Sequence, residues 1–130
     1  MKIYKTQKEV NADIRDGVLE VDGDVQFEFN LVTKASLIIL GNITAWGNIT
    51  AQDISAGENI TAVDITAKGN ISAHDITAGG NISVQDISAG GDISFYAFAI
   101  AYRSLICKSI KGRRKNSKYF CLDGEVEIKG

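Results

Sequence analysis

The residues able to do chemistry are few and scattered. His74 is the only histidine and stands between Ala73 and Asp75, at a corner between short apolar segments. A solvent-facing side chain is expected there, not a general base. Cys107 and Cys121 show no metal-ligand spacing and are too few for a disulfide framework. The chain holds no Gly-x-Gly-x-x-Gly, no Walker-type loop and no nucleophile elbow. Asp, Ser and Thr are frequent, but the copies between residues 41 and 94 all belong to a repeat that accounts for them. The expectation is a chain that is not an enzyme, with no catalytic residue, no metal, no cofactor and no small-molecule substrate.

Charge is more informative. Residues 1–102 carry six basic and thirteen acidic residues, whereas 103–118 carry seven basic residues and no acid. These seven are Arg103, Lys108, Lys111, Arg113, Arg114, Lys115 and Lys118, with Tyr119 and Phe120 directly after them. A basic loop flanked by aromatics suits phosphate contact and base stacking, with salt-sensitive and sequence-independent affinity. The alternative is a solvated loop held against its own acidic body. The acids include Asp53, Asp64, Asp75 and Asp86, eleven residues apart, and such a row could imitate the charge of a nucleic-acid backbone toward a basic partner.

The elements that must position these groups follow from the repeat. Isoleucines fall at 43, 49, 54, 60, 65, 71, 76, 82, 87 and 93, in steps of five and six after an initial six. No helix places apolar residues so sparsely. Each unit reads Asn/Asp out, Ile in, Ser/Thr out, Ala in, then one or two corner residues, which is a very short strand and a turn. One such strand cannot bury its isoleucine, but stacked copies can. Leu19, Val25, Leu31 and Leu37 continue the six-residue register backward. The rival local reading is a hairpin about Asp22-Gly23.

A two-sided coil would stack Asp53, Asp64, Asp75 and Asp86 in one column about 4.8 Å apart, at a repulsive cost. A three-sided coil alternates Asn48, Asp64, Asn81 on one column and Asp53, Asn70, Asp86 on another. Asn can then donate to Asp above and below, so three sides are favoured over two. The pattern resembles the short β-solenoid proteins: pentapeptide-repeat and hexapeptide-repeat proteins and bactofilin-type scaffolds. The resemblance covers about Leu19 to Ile110 and implies the architecture. Some pentapeptide-repeat proteins act as DNA mimics, which adds to the acidic-face reading. Small non-enzymatic proteins of this kind are often carried by phages and mobile elements as inhibitors of host machinery.

The expected fold is an all-β, single-domain parallel β-solenoid. Residues 1–18 form an N-terminal cap, whose helix starts at the capping box Thr6-Gln7-Lys8-Glu9. Residues 19–110 form the rungs, and 111–130 the basic loop and a C-terminal hairpin cap closed by Asp123-Gly124. At 45% hydrophobic and 23% charged the chain is ordinary for a folded domain. No apolar stretch is long enough to cross a bilayer, and Met1–Gln7 has no apolar run of a secretory signal, so a reduced cytoplasmic setting is expected. Phe95-Tyr96-Ala97-Phe98-Ala99-Ile100-Ala101-Tyr102 is either one more coil with larger core residues or a self-association patch, and Trp46 is a further candidate contact. The functional expectation is a rigid rod docking a protein or nucleic acid through Lys108–Tyr119 or the acidic rungs. The alternative is a self-associating scaffold, dimer or filament.

Overall fold

The computed structural model describes residues 1–128, and over these the chain winds as a three-sided parallel β-solenoid. The first turn comprises β1 (Lys2–Tyr4), α1 (Gln7–Asp13) and β2 (Val18–Val21). The second comprises β3 (Val25–Phe27), β4 (Leu31–Val32) and β5 (Ser36–Ile39). Then come β6 (Ile43–Ala45), β7 (Ile49–Ala51) and β8 (Ile54–Ala56). The fourth turn is β9 (Ile60–Ala62), β10 (Ile65–Ala67) and β11 (Asn70–Ala73). In the fifth, β12 (Ile76–Ala78) is followed by β13 (Ile82–Ala89), which runs through a corner and serves two faces. The sixth is β14 (Asp92–Phe95) and the equally long-reaching β15 (Phe98–Cys107), and the seventh is β16 (Ser109–Gly112), β17 (Lys118–Cys121) and β18 (Glu125–Ile128).

The first face is the seven-stranded sheet β1-β3-β6-β9-β12-β14-β16. The second face stacks β4, β7, β10, the first half of β13, the first half of β15, and β17. The third stacks β2, β5, β8, β11, the remaining halves of β13 and β15, and β18. Ile43 pairs with Ile60, Ile60 with Ile76 and Ile76 with Ile93, so a turn takes about 17 residues and unites three sequence units. The Ile and Ala of each unit point inward and are buried, while the Ser or Thr between them faces outward, as period-two alternation requires. Burying each isoleucine contributes about 1.5–3 kcal/mol, and only the stacked neighbour makes that burial complete. The backward six-residue register holds too: Leu19, Val25, Leu31 and Leu37 are all in the core. Asp22-Gly23 is a corner, not a hairpin turn, because β2 pairs with β5 and β3 pairs with β1 and β6, all in parallel.

The polar columns alternate as three sides demand, but their chemistry differs from the expected amide-to-carboxylate ladder. Among the described bonds, all but one of the columns' Asn and Asp side chains from Asp24 to Asn81 accept a main-chain N–H from the residue opening the next turn, whereas Asp86 and Asp92 accept from side chains instead. Asp64 Oδ1 accepts from the Asn81 N–H at 2.7 Å, and Asn48 Oδ1 from the Asp64 N–H at 3.1 Å. Only the side-chain oxygen is required, which is why Asn and Asp interchange along the repeat. Where the acceptor is a carboxylate (Asp24, Asp53, Asp64, Asp75) the bonds are 2.7–2.8 Å long. Where it is an amide (Asn30, Asn42, Asn48, Asn59, Asn81) they are 2.9–3.1 Å, the difference expected of charge assistance. The same bond explains the glycines ahead of Asn70 and Asn81. A Cβ at Gly69 or Gly80 would collide with the Asp53 or Asp64 oxygen one turn below.

The winding extends past both expected limits. β1 already belongs to the first face, so the first turn starts at Lys2 instead of near Leu19. In that turn α1 stands where the second face would place a strand. Its capping box is formed, with Thr6 Oγ1 accepting the Glu9 N–H and Glu9 reaching back to the Thr6 N–H. Val10 is buried in the core, and Gln7 Oε1 accepts the Val32 N–H that a lower strand would otherwise satisfy. At the other end the expected hairpin does not form. β17 and β18 each pair in parallel with β15 and not with each other, making one more turn of the coil. Asp123-Gly124 is again a corner: the Asp123 N–H donates to the Tyr102 carbonyl one turn back, and stacking on an existing rung satisfies both strands at once. Residues 129 and 130 of that expected cap lie outside the described residues.

Candidate functional site

The sixth and seventh turns depart from the pattern of those before. Along the second face the outward position reads Thr50, Thr66 and Ser83, then Ile100 and Phe120 in register. One position earlier, Phe98 replaces the Asn/Asp column, and Lys118 stacks on Phe98. The segment 95–102 keeps alternation throughout: Phe95, Ala97, Ala99 and Ala101 are buried, while Tyr96, Phe98 and Tyr102 face solvent. Phe95 is therefore core, filling the place that Ala45, Ala62 and Ala78 hold in other turns, and it is not available as an oligomer contact. The exposed aromatics Tyr96, Phe98 and Tyr102 remain candidates. Trp46, 63% exposed, sits alone on a corner three turns away from them.

The cations gather around this aromatic surface. The Arg114 guanidinium lies 5.2 Å from the centroid of the Phe98 ring, a cation–π contact that holds the charge over the second face. Lys118 opens β17, Lys111 faces outward on β16, and Lys115 is exposed in the corner between them. Lys108 is exposed at the corner that leads into the seventh turn. Two arginines are committed elsewhere. Arg113 donates to the Ala78 carbonyl at 2.8 Å, reaching back two turns, and Arg103 pairs with Asp86 at 3.2 Å. Tyr119 aligns with the inward Ala99 and so belongs to the end of the core, while Phe120, aligned with Ile100, takes the outer position.

The four aspartates do not share a face. Asp53 and Asp86 stand on the third, with Asn70 between them, Asp64 on the second and Asp75 on the first. All four are half-buried. Asp53, Asp64 and Asp75 each use Oδ1 to hold the next turn, and Asp86 accepts from Ser104 and Arg103. Their spacing serves the coil and lays down no continuous acidic row.

Among the described residues no cluster of three or more His, Cys, Asp or Glu is placed to hold a metal ion. Burial pushes the Cys107 thiol up, with Asp92 adding to the effect, and burial likewise raises Cys121, beside Asp86 and Asp123. Both are thus poorer nucleophiles than a free cysteine. His74 is exposed at its corner. At the N-terminal end the Tyr4 hydroxyl donates to Asp13 at 2.9 Å. This bond first, and then the charges of Lys2 and Arg15, hold the Asp13 carboxyl below its ordinary value. Burial, then the same hydrogen bond, raises Tyr4. A shallow hollow of about 250 Å³ lies beside this pair, lined by Lys2, Ile3, Glu9 and Ala12 as well.

Sequence reading located the basic run and missed the partner it stacks on. The signal was present in the alternation of large and small residues at 95–102, which puts one set of rings in the core and the other outside. No helix among the described residues is long and apolar enough to cross a membrane. Compared with protein-family models, with curated proteins and with solved structures, the chain matches none.

Proposed function

We propose that this chain is a non-enzymatic interaction protein that docks a single-stranded nucleic acid on the second face of its last two turns. The observation that carries this reading is the outward replacement of Ser and Thr by Ile100 and Phe120, and of the Asn/Asp column by Phe98, ringed by Arg114, Lys115 and Lys118. Rings exposed beside cations offer a stacking platform with phosphate contacts alongside. Elsewhere on the rod the exposed apolar side chains, such as Val32, Leu40 and Trp46, have no comparable ring of cations beside them. The dispersed aspartates favour this reading over nucleic-acid mimicry by an acidic face, which needs carboxylates in a row.

Fluorescence anisotropy with a labelled oligo-dT and with a duplex of equal length tests it. Counting Lys111, Arg114, Lys115 and Lys118 as four phosphate contacts, the slope of log affinity against log salt is about −3, at roughly −0.7 per contact for a single strand. Affinity then falls about 50-fold between roughly 50 and 200 mM salt. Phe98→Ala and Phe120→Ala weaken binding at all salt concentrations alike, whereas Lys115→Ala with Lys118→Ala reduces the slope. No binding to either oligonucleotide at low salt would overturn the proposal.

A further inference from the structure

The outward side chains of the second face have a direction in the sixth and seventh turns. On β15 they are Phe98, Ile100 and Tyr102, and Lys118, Phe120 and Leu122 of the next turn lie alongside them in register. Exposed rings therefore form a zigzag across the face. Phe98 stands beside the corner shared with the first face, Phe120 at mid-face one turn on, and Tyr102 at the corner shared with the third face. Two residues along a strand and one turn across it separate successive rings by about 8 Å, a step that one extended nucleotide bridges.

The charges at the two corners are opposite. Where the first and second faces meet, Arg114 covers the Phe98 ring, Lys115 and Lys118 stand beside it, and Lys111 lies round the corner on the first face. The chain carries no acidic residue from Ile93 to Leu122. Where the second and third faces meet, Asp123 directly follows Leu122, and Asp86, Ser104 and Glu125 stack in one column. Arg103, next to Tyr102, is paired with Asp86 at 3.2 Å, and among the described residues no cation pairs with Asp123 or Glu125. The potential thus changes sign between Phe98 and Tyr102.

We propose, resting on the nucleic-acid reading above, that this face takes the end of a single strand and not its interior. Bases stack on the Arg114–Phe98 pair, on Phe120 and on Tyr102, with the terminal base on Tyr102. From Phe98 the backbone leaves over the cationic corner, where Arg114, Lys115 and Lys118 meet its phosphates and Lys111 meets the next one round. A strand continuing past Tyr102 carries its next phosphates onto Asp123 and Glu125, a repulsion that a terminal nucleotide avoids. The same carboxylates accept a hydrogen bond from a terminal hydroxyl and repel a terminal phosphate. The ligand class is a single-strand terminus that ends in a free hydroxyl.

Fluorescence anisotropy of an internally labelled linear oligo-dT, against the same oligonucleotide closed into a circle, tests the proposal. The linear form binds about tenfold more tightly at low salt, and the preference shrinks as added salt screens the carboxylates. A phosphate added at one terminus weakens binding, whereas one added at the other does not, which identifies the seated end. In Asp123→Asn with Glu125→Gln the circle binds as tightly as the linear strand, and circular dichroism checks that this variant keeps its fold. Equal or tighter binding of the circle by the unaltered chain, phosphates that act alike at both termini, or a preference that survives in the folded double variant would each overturn the proposal and leave the stacking platform standing. Binding of neither form at low salt would overturn both.

Discussion

The first and last described turns of this coil are built in different ways. At the N-terminal end a seven-residue helix, fixed by a capping box, replaces one strand, buries Val10 and satisfies the edge of β4. At the C-terminal end a complete turn is laid down with nothing above it among the described residues. The turns beneath that edge are also where Ser and Thr give way to rings and cations. The difference teaches that regular stacking supplies stability anywhere along the rod, while the character of a terminus is set by a handful of residues outside the repeat.

The largest contrast is between equivalent core truncations. Leu31→Ala, beside the helix and fully buried, costs about 2–5 kcal/mol. Ile128→Ala, half exposed in the last described turn, costs less than about 1 kcal/mol. Urea denaturation of both variants measures the gap, and equal losses would mean that Ile128 is as well packed as Leu31. Next in size is the polar column. Asp64→Ala leaves the Asn81 N–H without its acceptor and costs about 1–2 kcal/mol, whereas Asp64→Asn keeps the oxygen and costs a few tenths. A comparable penalty for both would show that the charge, not the acceptor, matters.

The helix itself supplies a smaller effect. Thr6→Ala removes the cap and costs about 1 kcal/mol, read as a lowered unfolding midpoint. The smallest is a pH effect confined to the first turn. Asp13 is held below its ordinary value, so its contribution is complete above the unfolded carboxylate range and disappears as pH falls through the folded value. Amide exchange in α1 therefore speeds up in acid relative to the middle turns, and Tyr4→Phe removes most of that dependence.

Fold and site were legible in the sequence to different degrees, for physical reasons. The coil was readable because Ile54, Ile65 and Ile76 repeat a geometric demand that every turn shares, and three sides followed from the charges the columns must carry. The backward register through Leu19 was legible for the same reason. The C-terminal strands were not. Asp-Gly between two β-prone runs suits a hairpin locally, and only the edge offered by β15 decides for parallel stacking. The ladder's true donor was hidden too, since a main-chain N–H leaves no trace in composition. Of the basic run, the reach of Arg113 to Ala78, thirty-five residues back, was not legible, because nothing in its sequence neighbours shows it.

Residue-resolved hydrogen exchange, with and without oligo-dT, tests most directly the claim that interaction is concentrated in the last two turns. The account predicts added protection across 95–122, on the second face and its corners, with β6–β12 unchanged. Protection spread along the middle turns, or centred on the corner of Trp46, would contradict it.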